Sequence, residues 1–165
     1  MTTYAELVTA YLDNPGPGTL APLRRAVRGS ANFDPDLDLR AVDTLLAEGS
    51  YAAASAELRR LMPGAIFSPS AHLRMATALE HSGDERAAAR ERQVALAALR
   101  SIRSTGDGSE QRPWSVLRIS DEYDMLRALD KVRDRQDLIE DGARRLDRLT
   151  CTDGTVAWFD VTSIA

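Results

Sequence analysis

The chain has 165 residues, 44% of them hydrophobic and 28% charged, with a formal net charge of −4. That length and balance suit one folded domain with its own core and exclude a disordered chain. The acidic balance argues against binding to nucleic-acid backbones. With neither a long apolar run nor a basic-then-apolar leader, the chain is expected to be cytoplasmic and free of membrane attachment.

Tyr4, Leu7, Val8, Tyr11 and Leu12 recur at helical spacing, and Thr3 with Glu6 forms a capping box ahead of them. Asn14-Pro15-Gly16-Pro17-Gly18 ends that helix. A second helix is expected from Leu20 to Arg28, with Leu20, Leu23 and Val27 inward. After the turn Asn32-Phe33-Asp34-Pro35, a helix is predicted over 36–48, a break at Gly49-Ser50, and a helix from Tyr51 to Met62. The arrangement then recurs: Ser68-Pro69 opens a helix, His81-Ser82-Gly83 breaks it, and Asp84 caps a longer one reaching about Ser104. An offset of 34 residues places Gly49 on Gly83, Ala54 on Ala88, Leu45 on Leu79 and Val42 on Ala76. That period, with glycine at the reversal and alanine where helices cross, is the tetratricopeptide pattern.

The last third changes character. Ser104 to Ser109 is a polar turn, Trp114 to Ile119 reads as a strand, and Asp121 to Leu129 as a helix carrying Tyr123, Leu126 and Leu129. Asp141-Gly142 and Asp153-Gly154 are hairpin signals that separate strands at 136–140, 143–151 and 155–161. The expected fold is α+β and mostly α. N-terminal helices and two tetratricopeptide-like hairpins fill 1–104. A small α+β module with an antiparallel sheet fills 105–165 and caps the helices as one compact unit, because two such hairpins cannot cover their apolar faces alone.

The motifs Ser104-Thr105-Gly106-Asp107-Gly108, Asp121-Glu122-Tyr123-Asp124, Gln136 and Trp158-Phe159-Asp160-Val161 occur in that order. Together with Asn32-Phe33-Asp34-Pro35 they resemble a bacterial family of unknown function that pairs tetratricopeptide-like hairpins with a small C-terminal module. The chain departs from its pattern at Leu129-Asp130, where the family has leucine-glycine, and in the short arginine-rich stretch after Gln136. The resemblance implies a fold and carries no catalytic residue.

The polar residues admit two readings. In the first the protein is a non-catalytic protein- or peptide-interaction module. The repeat register sends Asp36, Leu39, Asp43, Ser70, Leu73, Thr77 and Glu80 to one acidic, partly apolar groove, suited to a basic peptide segment or a second copy of the chain. In the second it is a small enzyme or ligand-binding accessory protein of a biosynthetic or modification pathway. Its site would lie between helices and sheet, near Asp107, Tyr123, Arg144, Trp158 and Asp160. Gly106-Asp107-Gly108 lacks the residues of a phosphate loop and reads as a structural turn. The acids of Asp121-Glu122-Tyr123-Asp124 suit the positive end of a helix. A single cysteine, and two histidines nine residues apart, support no metal centre, and nothing calls for a cofactor.

Overall fold

The computed structural model describes residues 1–164, and the chain divides into two compact units, Met1–Ala98 and Leu99–Ala165. The division falls inside a helix rather than after it.

The N-terminal unit contains α1 (Tyr4–Asp13), α2 (Pro17–Arg28), α3 (Arg40–Ala47), α4 (Tyr51–Leu61), α5 (Pro69–His81) and the start of α6 (Glu85–Arg103). The Thr3/Glu6 capping box is formed: the Glu6 amide donates to Thr3 Oγ1 at 3.2 Å, and the Thr3 amide to Glu6 at 2.6 Å. α2 begins at Pro17, three residues before the expected Leu20, since proline suits a first helical position whose N–H would have no partner. α3 begins late, at Arg40 rather than Asp36. The carboxylates of Asp34 and Asp38 accept the backbone N–H groups of Asp36 and Arg40 (2.8 and 2.9 Å), and these local bonds compete with helix formation.

Leu39, Val42, Ala54, Leu58, Ala65, Ala71, Met75 and Ala78 form one core where α3, α4 and α5 meet. Gly49 and Gly83, one offset apart, both take positive φ (73° and 87°), and their counterparts Ala54 and Ala88 are both fully buried. The end of α4 is held from a distance. Asn32 Nδ2 donates to the Leu61 and Met62 carbonyls (3.1 and 3.0 Å), and Asn32 Oδ1 accepts the Gly64 N–H at 2.9 Å. A Cβ on Gly64 would lie 2.2 Å from the Asn32 carbonyl oxygen, so only glycine lets these strands of backbone meet.

The C-terminal unit contains the end of α6, β1 (Trp114–Ser115), α7 (Ile119–Ala128), β2 (Arg133–Asp141), β3 (Arg144–Cys151), β4 (Val156–Asp160) and a 3-10 turn (Thr162–Ile164). The strands order as β1-β4-β3-β2, with β1 parallel to β4 and the other pairs antiparallel. The sheet is therefore mixed, not wholly antiparallel. β1 stops after two residues because the Asp121 carboxylate accepts the N–H groups of Leu117 and Arg118 (both 3.1 Å) and turns the chain into α7. The inner sheet face buries Leu149, Cys151, Ala157 and Phe159 against Met125 and Leu126 of α7 and Ile102 of α6. The glycine turn also serves this fold: Trp114 Nε1 donates to the Gly106 carbonyl at 3.1 Å, and the Trp158 amide to the Gly108 carbonyl at 2.9 Å.

Candidate functional site

Residues of α7 and its C-cap that face the sheet recur three and four apart: Glu122, Met125, Leu126 and Leu129. The last three are apolar members of the core, and the first is an acid in the place of a fourth. β3 repeats the anomaly. Asp147 shares a face with Leu149 and Cys151, both buried, and is itself buried. Gln136 of β2 lies directly opposite Leu149, so its side chain emerges on that same face.

These three groups join. Gln136 Nε2 donates to Asp147 at 2.8 Å and to Glu122 Oε2 at 3.3 Å, so one amide bridges both carboxyl groups. Its Oε1 accepts from the Tyr123 hydroxyl at 2.6 Å and from Arg133 at 3.0 Å. The Arg133 guanidinium also lies 5.0 Å from the Tyr123 ring centroid and is exposed, so it stands at the rim of a cluster whose acids are inside. Burial first, and the adjoining Asp147 second, push the Glu122 carboxyl up to about 9. At neutral pH it therefore holds its proton, with Asp147 beside it to accept a hydrogen bond. Burial also raises the Tyr123 hydroxyl above its ordinary value. Chemically the cluster is a stored proton flanked by a second carboxyl group, a phenol and a guanidinium.

The residues nominated from sequence for a ligand site are divided. Tyr123 belongs to this inner cluster. Arg144, Trp158 and Asp160 lie on the opposite sheet face, where Arg148 stacks 5.8 Å from the Trp158 ring and reaches Asp137 at 3.1 Å. Arg144 pairs with Asp141 (2.6 Å), and Asp160 accepts the Thr162 amide at 2.9 Å. Asp107 accepts the Ser109 amide at 3.0 Å inside its own turn. The Asp107 and Gly108 N–H groups both point at the Arg112 carbonyl (2.9 and 3.1 Å), so the turn offers no anion nest from them.

The groove residues are also split. Leu39 and Ser70 are interior, Leu39 because it completes the core beneath α3. Asp36 is exposed in the turn before α3, Leu73 is 44% exposed, and the Thr77 hydroxyl turns back onto the Leu73 carbonyl at 3.1 Å. Asp43 makes a two-pronged pair with Arg74 (2.6 and 3.1 Å), and Glu80 meets Arg92 at 3.1 Å.

His72 resembles half of a catalytic dyad, with Nδ1 2.6 Å from Glu91. Its Nε2, however, accepts the Phe67 N–H at 2.9 Å, so both ring nitrogens are engaged in holding the α5 entry. Cys151 is buried in the core, and among the described residues no three His, Cys, Asp or Glu side chains group to hold a metal ion. No helix among them is long and apolar enough to cross a membrane.

Sequence reasoning found Tyr123 and Gln136 by motif but missed Glu122 and Asp147 as a pair. The signal was present: each is an acid at a core-facing position of its period, Glu122 three and four before Met125 and Leu126, Asp147 two before Leu149. No protein-family model, no curated protein and no solved structure matches the chain.

Proposed function

We propose that the protein is a non-catalytic interaction module whose helical unit takes a short basic and apolar peptide segment of a protein partner. The observation that carries this reading is Leu73, a large apolar side chain left 44% exposed on α5, with exposed Glu80 two turns on along the same helix and exposed Asp43 of α3 paired with the adjoining Arg74. Two helix pairs at a 34-residue offset support it, since stacked hairpins of that period characteristically use the surface of their first helices for partners. Asp36 and Glu48 add acidic charge around α3, which suits a partner carrying arginine or lysine.

The test replaces Leu73, not the acids. Asp43 is committed to Arg74, so its reversal would set two guanidinium groups together and disturb the α3–α5 contact. Leu73 makes no such bond, so Leu73→Arg should leave thermal unfolding near that of the parent while abolishing capture of a partner that the parent captures stoichiometrically. Undiminished capture by the variant would remove this surface from consideration.

A second reading is favoured by one observation, the buried Glu122–Gln136–Asp147 cluster with Arg133 at its rim. In it the C-terminal unit binds a small polar ligand, with the protonated Glu122 as hydrogen-bond donor and Arg133 as the entry-side cation. A thermal-shift screen of small anions against the parent and Arg133→Ala decides it: a ligand that stabilises only the parent supports a site, and equal shifts in both sink it.

A further inference from the structure

We infer that β2 is the edge through which two copies of this chain join, antiparallel and centred on Leu138. This goes beyond the peptide-binding reading and concerns the other unit. β2 is the last strand of its sheet, hydrogen-bonded to β3 on one side only. Residues 133–135, 138, 140 and 141 are exposed, and Leu138 is 49% exposed where the other large apolar residues of that face are buried. A long unpaired edge with an exposed apolar side chain at its middle is a template for another strand.

The ladder gives the geometry. It is irregular between Arg133 and Arg135 and regular from there to Asp141, so the usable edge is the seven residues 135–141. Asp141 and Arg144 close a two-residue hairpin loop, which makes them a hydrogen-bonded pair. By the alternation of antiparallel ladders, the N–H and C=O groups of Gln136, Leu138 and Glu140 then point away from β3.

The charges select the partner and the register. The midpoint of 135–141 is Leu138, and its ends carry opposite charge, Arg135 and Asp141. A second copy turned about Leu138 sets Arg135 opposite the partner's Asp141 at both ends, with Leu138 against the partner's Leu138 at the centre. Arg135 and Asp141 have 64% and 59% of their side-chain surface exposed, so each retains room to reach across despite its local ion pair. A shift to Asp137 as centre places Asp137 against itself and Asp134 against Glu140. A shift to Ile139 places Asp137 against Asp141 twice. Like charges directly opposed destabilise a pair, so the same side chains that favour one register reject its two neighbours.

Light scattering on size-exclusion fractions tests this, loading the full chain at up to about 500 µM, a range that suits a pairing of one strand per copy. The mass is expected to rise with concentration toward twice the 18.1 kDa of the chain. Arg135→Asp and Asp141→Arg should each stay at the single-chain mass, because each sets like charges opposite one another. An equimolar mixture of the two variants should recover the doubled mass, since Asp then meets Arg at both ends. Recovery in the mixture also shows that both variants fold. A parent that stays at 18.1 kDa throughout, single variants that pair as well as the parent, or a mixture that fails to recover would each overturn the proposal.

Discussion

The two units stabilise themselves in different ways. In the N-terminal unit alanine makes up half of the core where α3, α4 and α5 meet, beside Leu39, Val42, Leu58 and Met75, and the carboxylate–guanidinium pairs, such as Asp43–Arg74, lie outside. In the C-terminal unit the core holds Trp114, Met125 and Phe159, and charge has been taken inside with them. Among the described residues, the buried arginine, aspartate and glutamate side chains, Arg118, Asp121, Glu122, Asp124 and Asp147, all belong to this second unit. Alanine permits close helix approach and leaves little room for polar atoms. Between α7 and the sheet the interior instead includes acids, Glu122 and Asp147 joined through Gln136 and Asp121 beside Arg118. Sensitivity to charge and to rising pH should therefore be greatest in the C-terminal unit.

The strongest way to break this contrast is Arg118→Met. The Arg118 side chain is fully buried, and it is the cation near Asp121 (3.8 Å) and Asp124. Removing one member of a buried charge group costs about 3–5 kcal/mol. Native-state hydrogen exchange should show the loss of protection in α7 and β2–β4, with α4 and α5 retaining theirs.

The next effect sharpens the contrast through pH. The Glu122 carboxyl sits near 9 in the folded protein and close to its ordinary 4.5 when unfolded. Between those values the folded state holds the extra proton, so stability is fully present below the lower pH and is lost as pH rises toward the upper one. The slope is about 1.4 kcal/mol per pH unit, or roughly 3 kcal/mol between pH 6 and pH 8. Glu122→Gln keeps the shape and removes the charge. It should match the parent near pH 4, exceed it at pH 8, and flatten the slope of urea midpoints against pH.

The smallest effect belongs to the N-terminal unit. Asn32→Ala removes the side chain that closes the end of α4 and should cost about 1–2 kcal/mol. That loss should be the same at pH 5 and pH 8, because no titrating group takes part. A pH-dependent loss would mean that the two units are not separated in the way their interiors indicate.

Much of the fold was legible because it is written locally. Thr3 and Glu6 cap α1, Ser68 accepts the Ala71 amide to cap α5, and Asp84 accepts the Ala87 amide at the start of α6, each as its residue type requires. The errors arose where a side chain overrode local preference. Asp34 and Asp38 delay α3, and Asp121 cuts the strand expected over 114–119 to two residues. Of the candidate site, only Tyr123 and Gln136 stood out, because the cluster depends on pairing 11 residues apart between Gln136 and Asp147. The period of each element places Glu122 and Asp147 on core-facing positions, but which residue meets them there is decided by that pairing, and one strand's sequence does not contain it.

The amide of Gln136 has a consequence for how this chain can change over generations. It serves Glu122, Asp147, Tyr123 and Arg133 at once, so no one of those positions can drift freely. A descendant that lost the glutamine would leave two buried carboxyl groups without the donor between them. A viable path must alter several of the positions together, or pass through Glu122→Gln first. In distant relatives the set should therefore persist whole or vanish whole, and Glu122, Gln136 and Asp147 at their spacing of 14 and 11 residues offer a fingerprint for finding them.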